Sequence, residues 1–350
     1  EIRTNRSNLI GGNMVYVSSH FLSLTTLKFY ADSAISLLRK HDIPHKILYL
    51  QDATLSIDNT YINKYEYYVG KVENGIYLEY LFKKYRNDAF VFLNNIDTND
   101  TTGPGIVSNR LLKRDNDIYI PYLICDEFRK DISPAQFYKD GNVVTADVRF
   151  FMKVDSKDEL LQIIKKFDDI VSDNMQFKIH IIISYLGYTR VHGNRYIIDT
   201  DISVSEIKKV KKSKNLIVTV IYGFMSREEI SKVYRAVDFY IQLRNSHLGR
   251  MIIEAGFYGV PSIVPAYKPF SYLSNDTAIL TSVNDRGFVT DKEFKNSINR
   301  AITLLYDFDR GYDKVSKNIE DYVISNHTLQ HVELDKEIIA LFSADKSGIM

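Results

Sequence analysis

The densest chemistry in this 350-residue chain lies in residues 245–254, which read Asn245, Ser246, His247, Leu248, Gly249, Arg250, Met251, Ile252, Ile253 and Glu254. Polar residues and a glycine run straight into a segment of helical composition, 249–258. Gly259 closes that segment as a C-cap signal, with Pro261 close behind. A helix amino terminus presents free backbone N–H groups and a partial positive charge, a geometry that suits an anion such as a phosphate. Gly249 lets backbone approach a ligand closely. Arg250 adds a guanidinium, the group favoured wherever phosphate is read. Each residue also has a plainer reading: Gly259 as a cap alone, Arg250 and Glu254 as ordinary helix-surface residues.

Other candidates are more scattered. Lys153 and Lys157 flank the junction between a strand and a helix, where lysines are also common as solvated helix-entry residues. Ser19 and His20 fall where a loop should follow the first strand, and Asp126 follows a strand-like run ending in Cys125. Loops after parallel strands carry function more often than core positions do. Lys208, Lys209, Lys211, Lys212 and Lys214 form a basic cluster with two readings, a solvated helix face or a contact with a lipid surface.

The elements that must position these residues alternate. Residues 14–18 read as a strand, followed by helical spacing of Leu27, Tyr30, Ala34, Leu37 and Leu38. Residues 46–50 and 89–93 read as strands and 74–85 as a helix. Residues 117–125 form another strand, which Pro121 keeps from pairing along its whole length. A second set begins near residue 144, with strand 147–154 and helix 157–171, whose Leu160, Leu161, Ile164 and Phe167 face inward. Strands 178–184 and 216–222 come next, then helix 226–237 capped by Ser226, strands 238–243 and 261–265, and helical sequence over 291–342. Strand and helix in alternation, without tight hairpins, imply parallel sheets with crossover helices. The expected organisation is an α/β domain over 1–143, a second over 144–310, and terminal helices over 311–350, some packing back on the first domain. Residues 143–147 could instead form the last strand of the first domain.

Composition narrows the class. The formal net charge of +1 supplies no global basic field for nucleic acid, and the single cysteine excludes an intramolecular disulfide framework. No apolar run reaches the length of a signal peptide or a membrane span, so a cytoplasmic protein is expected, peripheral to a membrane if the lysine cluster meets lipid.

Over residues 216–265 the sequence runs LIVTVIYGFMSREEISKVYRAVDFYIQLRNSHLGRMIIEAGFYGVPSIVP. This resembles the carboxy-terminal domain of the retaining GT-B glycosyltransferases, in particular glycosyltransferase family 4 (glycosyl transferases group 1). Gly223, the stretch 226–234, Ala236, Val237, Asp238, Gly249, Glu254, Ala255, Gly259 and Pro261 fall in register with the family pattern. The run 151–157 resembles the strand where the family grips the donor diphosphate, with Lys153 and Lys157 as the matching residues and the spacing shortened by one. Residues 119–128 resemble a first-domain segment in which Cys125 stands in place of the family histidine while Asp126 is kept.

The resemblance implies two Rossmann-like domains facing each other across a cleft. It implies transfer of a hexose from a UDP- or GDP-sugar to a hydroxyl acceptor (glycan, lipid-linked or protein), with retention. Glu254 would accept hydrogen bonds from the ribose hydroxyls. Lys153, Lys157 and Arg250 would neutralise charge developing on the departing diphosphate, and Ser246 and His247 would contact the sugar. His20 and Asp126 are the catalytic-side candidates from the first domain. No DxD-type motif is present, so no metal and no cofactor beyond the donor substrate is expected. The family's first glutamate, eight positions before the second, is here Ser246. That departure keeps open a non-catalytic GT-B module that binds a nucleotide sugar or a partner. A GT-B epimerase is a weaker third reading, because its catalytic carboxylates have no counterparts here.

Overall fold

The computed structural model describes residues 130–333 except 172–176, 186–187, 192–194, 199–201, 224, 244–248, 286 and 308. Within 1–129 it describes the strands given below together with 33, 35–41, 121–124 and 128. The chain divides into two units, Glu1–Ile124 with Ser325–Met350, and Cys125–Ile324.

The first unit holds β1 (Met14–His20), β2 (His45–Asp52), β3 (Glu66–Val72), β4 (Ala89–Phe92), β5 (Gly105–Val107) and β6 (Ile118–Tyr119). They form one six-stranded sheet in the order β3-β2-β1-β4-β5-β6, and every pairing is parallel. Of the expected strand over 117–125, the described strand residues are Ile118–Tyr119. Pro121 cannot donate to a ladder, and among the described residues beyond it the pairing is an isolated bridge of Ile124 with Thr328. Residues 35–40 are helical and bury Leu37 and Leu38. The expected helix at 74–85 lies outside the described residues.

The end of the chain is tied into this unit by directed bonds. The Ile124 N–H donates to the His327 carbonyl at 2.7 Å, and His327 Nδ1 lies 2.7 Å from the Tyr122 carbonyl, so that nitrogen carries the proton. Lys40 Nζ reaches the carbonyls of Leu329 and Val332, each at 3.0 Å.

The second unit repeats the plan with β9 (Val148–Val154), β10 (Ile179–Tyr185), β13 (Leu216–Tyr222), β14 (Phe239–Ile241), β15 (Ser262–Pro265) and β16 (Ala278–Thr281). Their order, β13-β10-β9-β14-β15-β16, is again third-second-first-fourth-fifth-sixth, and all are parallel. This is the strand order of a doubly wound nucleotide-binding sheet. β10 is buried at every position, as expected of a central parallel strand covered on both faces.

Helices α1 (Lys157–Ile170), α2 (Val204–Val210), α3 (Arg227–Tyr234), α4 (Arg250–Phe257), α5 (Asp291–Leu305) and α6 (Gly311–His327) complete the set. Their starts follow local chemistry. Ser226 accepts from the Glu229 N–H while Glu229 reaches back to Ser226, a complete capping box, and Ser203 with Glu206 repeats it. α1 buries Leu160, Ile163, Ile164, Phe167 and Ile170, whereas Leu161, expected inward, is only partly buried. On the core side Phe150 stacks on Phe239 with centroids 5.6 Å apart, and Phe167 meets Phe294 edge-on at 5.4 Å. Each such side chain contributes roughly 1.5–3 kcal/mol through burial.

The division at Ile124/Cys125 falls earlier than the sequence boundary at 143/144. Residues 130–144 bond within the second unit: the Ala135 N–H donates to the Lys232 carbonyl at 2.8 Å, and the Phe137 ring meets His180 edge-on. Two hairpins appear where none was expected, β7 (Tyr138–Lys139) with β8 (Asn142–Val143) and β11 (Tyr188–Val191) with β12 (Arg195–Ile198).

Candidate functional site

A doubly wound sheet binds ligands beyond the carboxyl ends of its strands, where the strand order reverses. In the second unit that point lies between β9 and β14, which pair as Phe150↔Phe239, Phe151↔Tyr240 and Met152↔Ile241. β9 delivers Lys153, Asp155 and, through the Ser156 cap, the amino terminus of α1 at Lys157. β14 delivers Gln242, and the chain returns at Gly249 to start α4.

Gly249 caps α4 in the left-handed region, φ 68°, with no side-chain cap bond. A Cβ there would lie 2.4 Å from Ile252 Cδ1 and 3.0 Å from Phe270 Cε1, so both backbone angle and space call for glycine. Five residues on, Glu254 is 2% exposed. Burying a carboxylate is costly unless it is paired, and partners are present. Arg250 Nε lies 3.4 Å from Oε1 and the Tyr234 hydroxyl donates to Oε2 at 3.4 Å. Both contacts sit at the outer edge of hydrogen-bond geometry.

Tyr240, on the last turn of sheet before the switch point, donates its hydroxyl to Gln242 Oε1 at 2.7 Å. Burial, and next the Glu254 carboxylate, push its phenol well above the ordinary tyrosine range. Asp155 acts on Tyr240 in the same sense and Arg250 in the opposite one, which places the exit of β9 and the start of α4 in one electrostatic neighbourhood.

The two lysines differ. Lys153 is 38% exposed at its side chain, with Nζ 3.9 Å from Asp155 Oδ1. Lys157 Nζ is 2.6 Å from Glu206 Oε1. That bond, then those from Ser203, hold the Glu206 carboxyl down at about 2. Lys157 is thus engaged with the capping box of α2.

Of the sequence candidates, Lys153, Gly249, Arg250 and Glu254 gather at the end of this sheet. His20 and Ser19 close β1 instead of lying in a loop beyond it. Cys125, Asp126, Ser246 and His247 lie outside the described residues. Tyr234, Tyr240 and Gln242, which wall and steady the Glu254 region, were missed. Their contacts depend on how α3 and β14 pack beside α4, and no spacing rule encodes that.

No protein family's sequence profile matches the chain, and no curated protein sequence matches it. Solved structures do. A glycosyltransferase from Rickettsia africae ESF-5 matches with a TM-score of 0.58 and 11% identity, over 97% of this chain and 100% of that one. Sucrose-phosphate synthase from Thermosynechococcus elongatus gives 0.55 and 12%, over 95% and 97%. WaaG, a glycosyltransferase involved in lipopolysaccharide biosynthesis, gives 0.50 and 10%, over 94% and 99%. The chain therefore has the α/β fold of the GT-B glycosyltransferases. At these identities the likeness concerns the fold.

Proposed function

We propose that this protein is a glycosyltransferase that moves a hexose from a UDP- or GDP-sugar to a hydroxyl acceptor with retention of anomeric configuration. The observation that carries the reading is the buried Glu254 carboxylate beside Arg250, one turn inside a glycine-started helix at the switch point of a 3-2-1-4-5-6 sheet. The family-like run over 216–265 and the GT-B fold of the solved neighbours support it.

In this reading the donor diphosphate lies at the amino end of α4, against backbone N–H groups freed by Gly249. Arg250 turns from Glu254 to the diphosphate as the donor enters, and Lys153 adds a second cation. The carboxylate then accepts from the vicinal ribose hydroxyls, steadied by Tyr234. Charge grows on the leaving phosphate in the transition state, and cations fixed in advance stabilise it without reorganising. Lys157 joins them if it leaves Glu206. His20, Asp126, Ser246 and His247 remain the candidates for contacts with sugar and acceptor, and no metal ion is required.

The test is a panel of UDP-, GDP-, ADP- and dTDP-sugars assayed by thermal shift and donor hydrolysis, on wild type and Glu254→Ala. One donor should stabilise the protein and be hydrolysed, and Glu254→Ala should lose both. A ligand at a hundred times its Kd adds about 2.7 kcal/mol of stability, which a melt resolves. Stabilisation without turnover would replace the transferase by the nucleotide-sugar-binding module that Ser246 suggests. No stabilisation by any donor would remove the site.

A further inference from the structure

At the opposite end of the second sheet the surface changes character. The β7–β8 hairpin turns through Asp140 and Gly141, both at positive φ (50° and 78°). It holds out Tyr138, 61% exposed, and Val143, 54% exposed, with Lys139 exposed between them. The hairpin is anchored by Phe137, whose ring stands edge-on against His180, the second residue of β10. In register with His180 is Ile217 of β13.

The chain enters β13 through Lys211, Lys212, Ser213, Lys214 and Asn215. Asp168 Oδ1 holds this approach by accepting from the N–H groups of Lys212 (2.9 Å) and Ser213 (2.7 Å). Asn215 accepts from the Ile179 N–H at the start of β10. Hairpin and basic loop thus meet at the amino ends of two adjacent strands. Lys208 and Lys209, on the last turn of α2, lead into the loop and are exposed, as are Lys212 and Lys214. Over 204–214 the single acidic residue is Glu206, already bonded to Lys157. Among the described residues the carboxylates on the hairpin and beside the loop are Asp140, Asp147, Asp168 and Asp169; Asp147 and Asp168 are spent on backbone N–H groups and Asp169 on Lys165.

We propose that this surface is a docking site for a bilayer containing anionic phospholipid: Lys208, Lys209, Lys212, Lys214 and Lys139 meet the headgroups while Tyr138 and Val143 enter the interface, and Lys211 stays bonded to the Ser213 carbonyl. Charge complementarity argues for this occupant, because juxtamembrane lysines draw anionic lipid and an apolar pair on a hairpin tip adds shallow insertion. Crowding of like charge is visible locally, where burial and then the neighbouring Lys139 ammonium lower Lys211. No helix among the described residues is long and apolar enough to cross a membrane, so the contact is peripheral. β10 spans seven residues, about 20 Å at the rise of a strand, and separates this face from the switch point. The proposal therefore stands or falls independently of the donor site.

The test is vesicle co-sedimentation of the full chain, using phosphatidylcholine alone and phosphatidylcholine with phosphatidylserine. The protein should sediment only with the anionic vesicles and be released by high salt. Lys139→Gln/Lys212→Gln/Lys214→Gln should weaken partitioning on the order of a hundredfold, at about fivefold per lysine. Tyr138→Ser/Val143→Ser should weaken it severalfold. Lys292→Gln/Lys295→Gln/Lys314→Gln, with the same charge change on other exposed lysines, should leave it intact, and equal melting temperatures will show each variant folded. Binding indifferent to lipid charge, an equal loss in the control triple, or full binding by the first triple would each overturn the proposal. So would capture by heparin with no binding to vesicles, which would make the surface a polyanion site.

Discussion

The two ends of the second sheet use the same residue types for opposite ends. At the amino end, carboxylates are consumed in closing the fold. Asp147 accepts from the Lys178 N–H at 2.6 Å, Asp238 from the Arg149 N–H at 2.7 Å, and Asp168 from the two N–H groups before β13. At the carboxyl end two carboxylates face cations instead, Glu254 with Arg250 and Asp155 with Lys153, beside Glu159, which accepts from the Asp155 N–H. A carboxylate bonded to backbone is fixed by the chain itself. One paired with a mobile side chain can exchange that partner for a ligand. Substitutions at the two ends should accordingly separate stability from nucleotide binding.

The largest expected effect is at the amino end. Asp238→Ala removes a partly buried acceptor and leaves the Arg149 N–H without it, which should cost about 1–3 kcal/mol in chemical denaturation. Nucleotide binding per folded molecule should be unchanged. A loss of binding with little loss of stability would erase the contrast between the ends.

His180 probes the same end through pH. Its ring is fully buried, Nε2 lies 2.8 Å from Thr219 Oγ1, and Nδ1 has no hydrogen-bond partner. Burial, then Arg149, lower it to about 4. With the folded value below the ordinary 6.5, the unfolded chain takes up the proton first as pH falls. The stability this residue contributes is present above about 6.5 and is lost progressively down to about 4, by on the order of 2–3 kcal/mol. His327, lowered to about 4 by burial, adds a similar slope from the first unit. His180→Leu should flatten part of the decline measured between those pH values, and an unchanged profile would mean that His180 takes up its proton equally in the folded and the unfolded chain.

At the carboxyl end, Gly249→Ala forces an L side chain into the left-handed region, at roughly 1–2 kcal/mol, with its Cβ against Ile252 and Phe270. Here stability and nucleotide affinity should fall together, because the same backbone starts α4 and meets the diphosphate. Affinity retained in the folded fraction would move the anion site away from this helix.

How much of this the sequence carried depends on whether the signal is local. The strand Leu216–Tyr222, the caps at Ser226 and Gly259, and the helix of Glu254 are written in contiguous residues, and the structure has them. β3, β5 and β16 were missed: the Lys71 of β3 blurs its apolar character, and β5 and β16 have only three and four residues. The Asp140-Gly141 turn was legible, since Asp-Gly between short extended runs marks a hairpin, but the expectation of an uninterrupted strand–helix alternation hid it. At the site, Gly249, Arg250 and Glu254 share one helix and could be read together. Tyr234 and Tyr240 lie on other elements, and only packing brings them to the carboxylate.

The smallest effect decides the most about Lys157. The residue is half-exposed and bonded to Glu206, and exposed pairs of this kind add little to stability. Lys157→Gln should therefore barely move the melting temperature. If the lysine serves only the capping box of α2, nucleotide affinity will stay where it was. If it turns to the diphosphate when the donor binds, affinity will fall severalfold and lose part of its salt dependence, since one screened cation is gone. Glu206→Gln then distinguishes the two states from the other side. Releasing Lys157 from its carboxylate partner should raise affinity in the second case and leave it unchanged in the first. Measured together, the two substitutions assign Lys157 either to the residues that close the fold or to those that wait for a ligand.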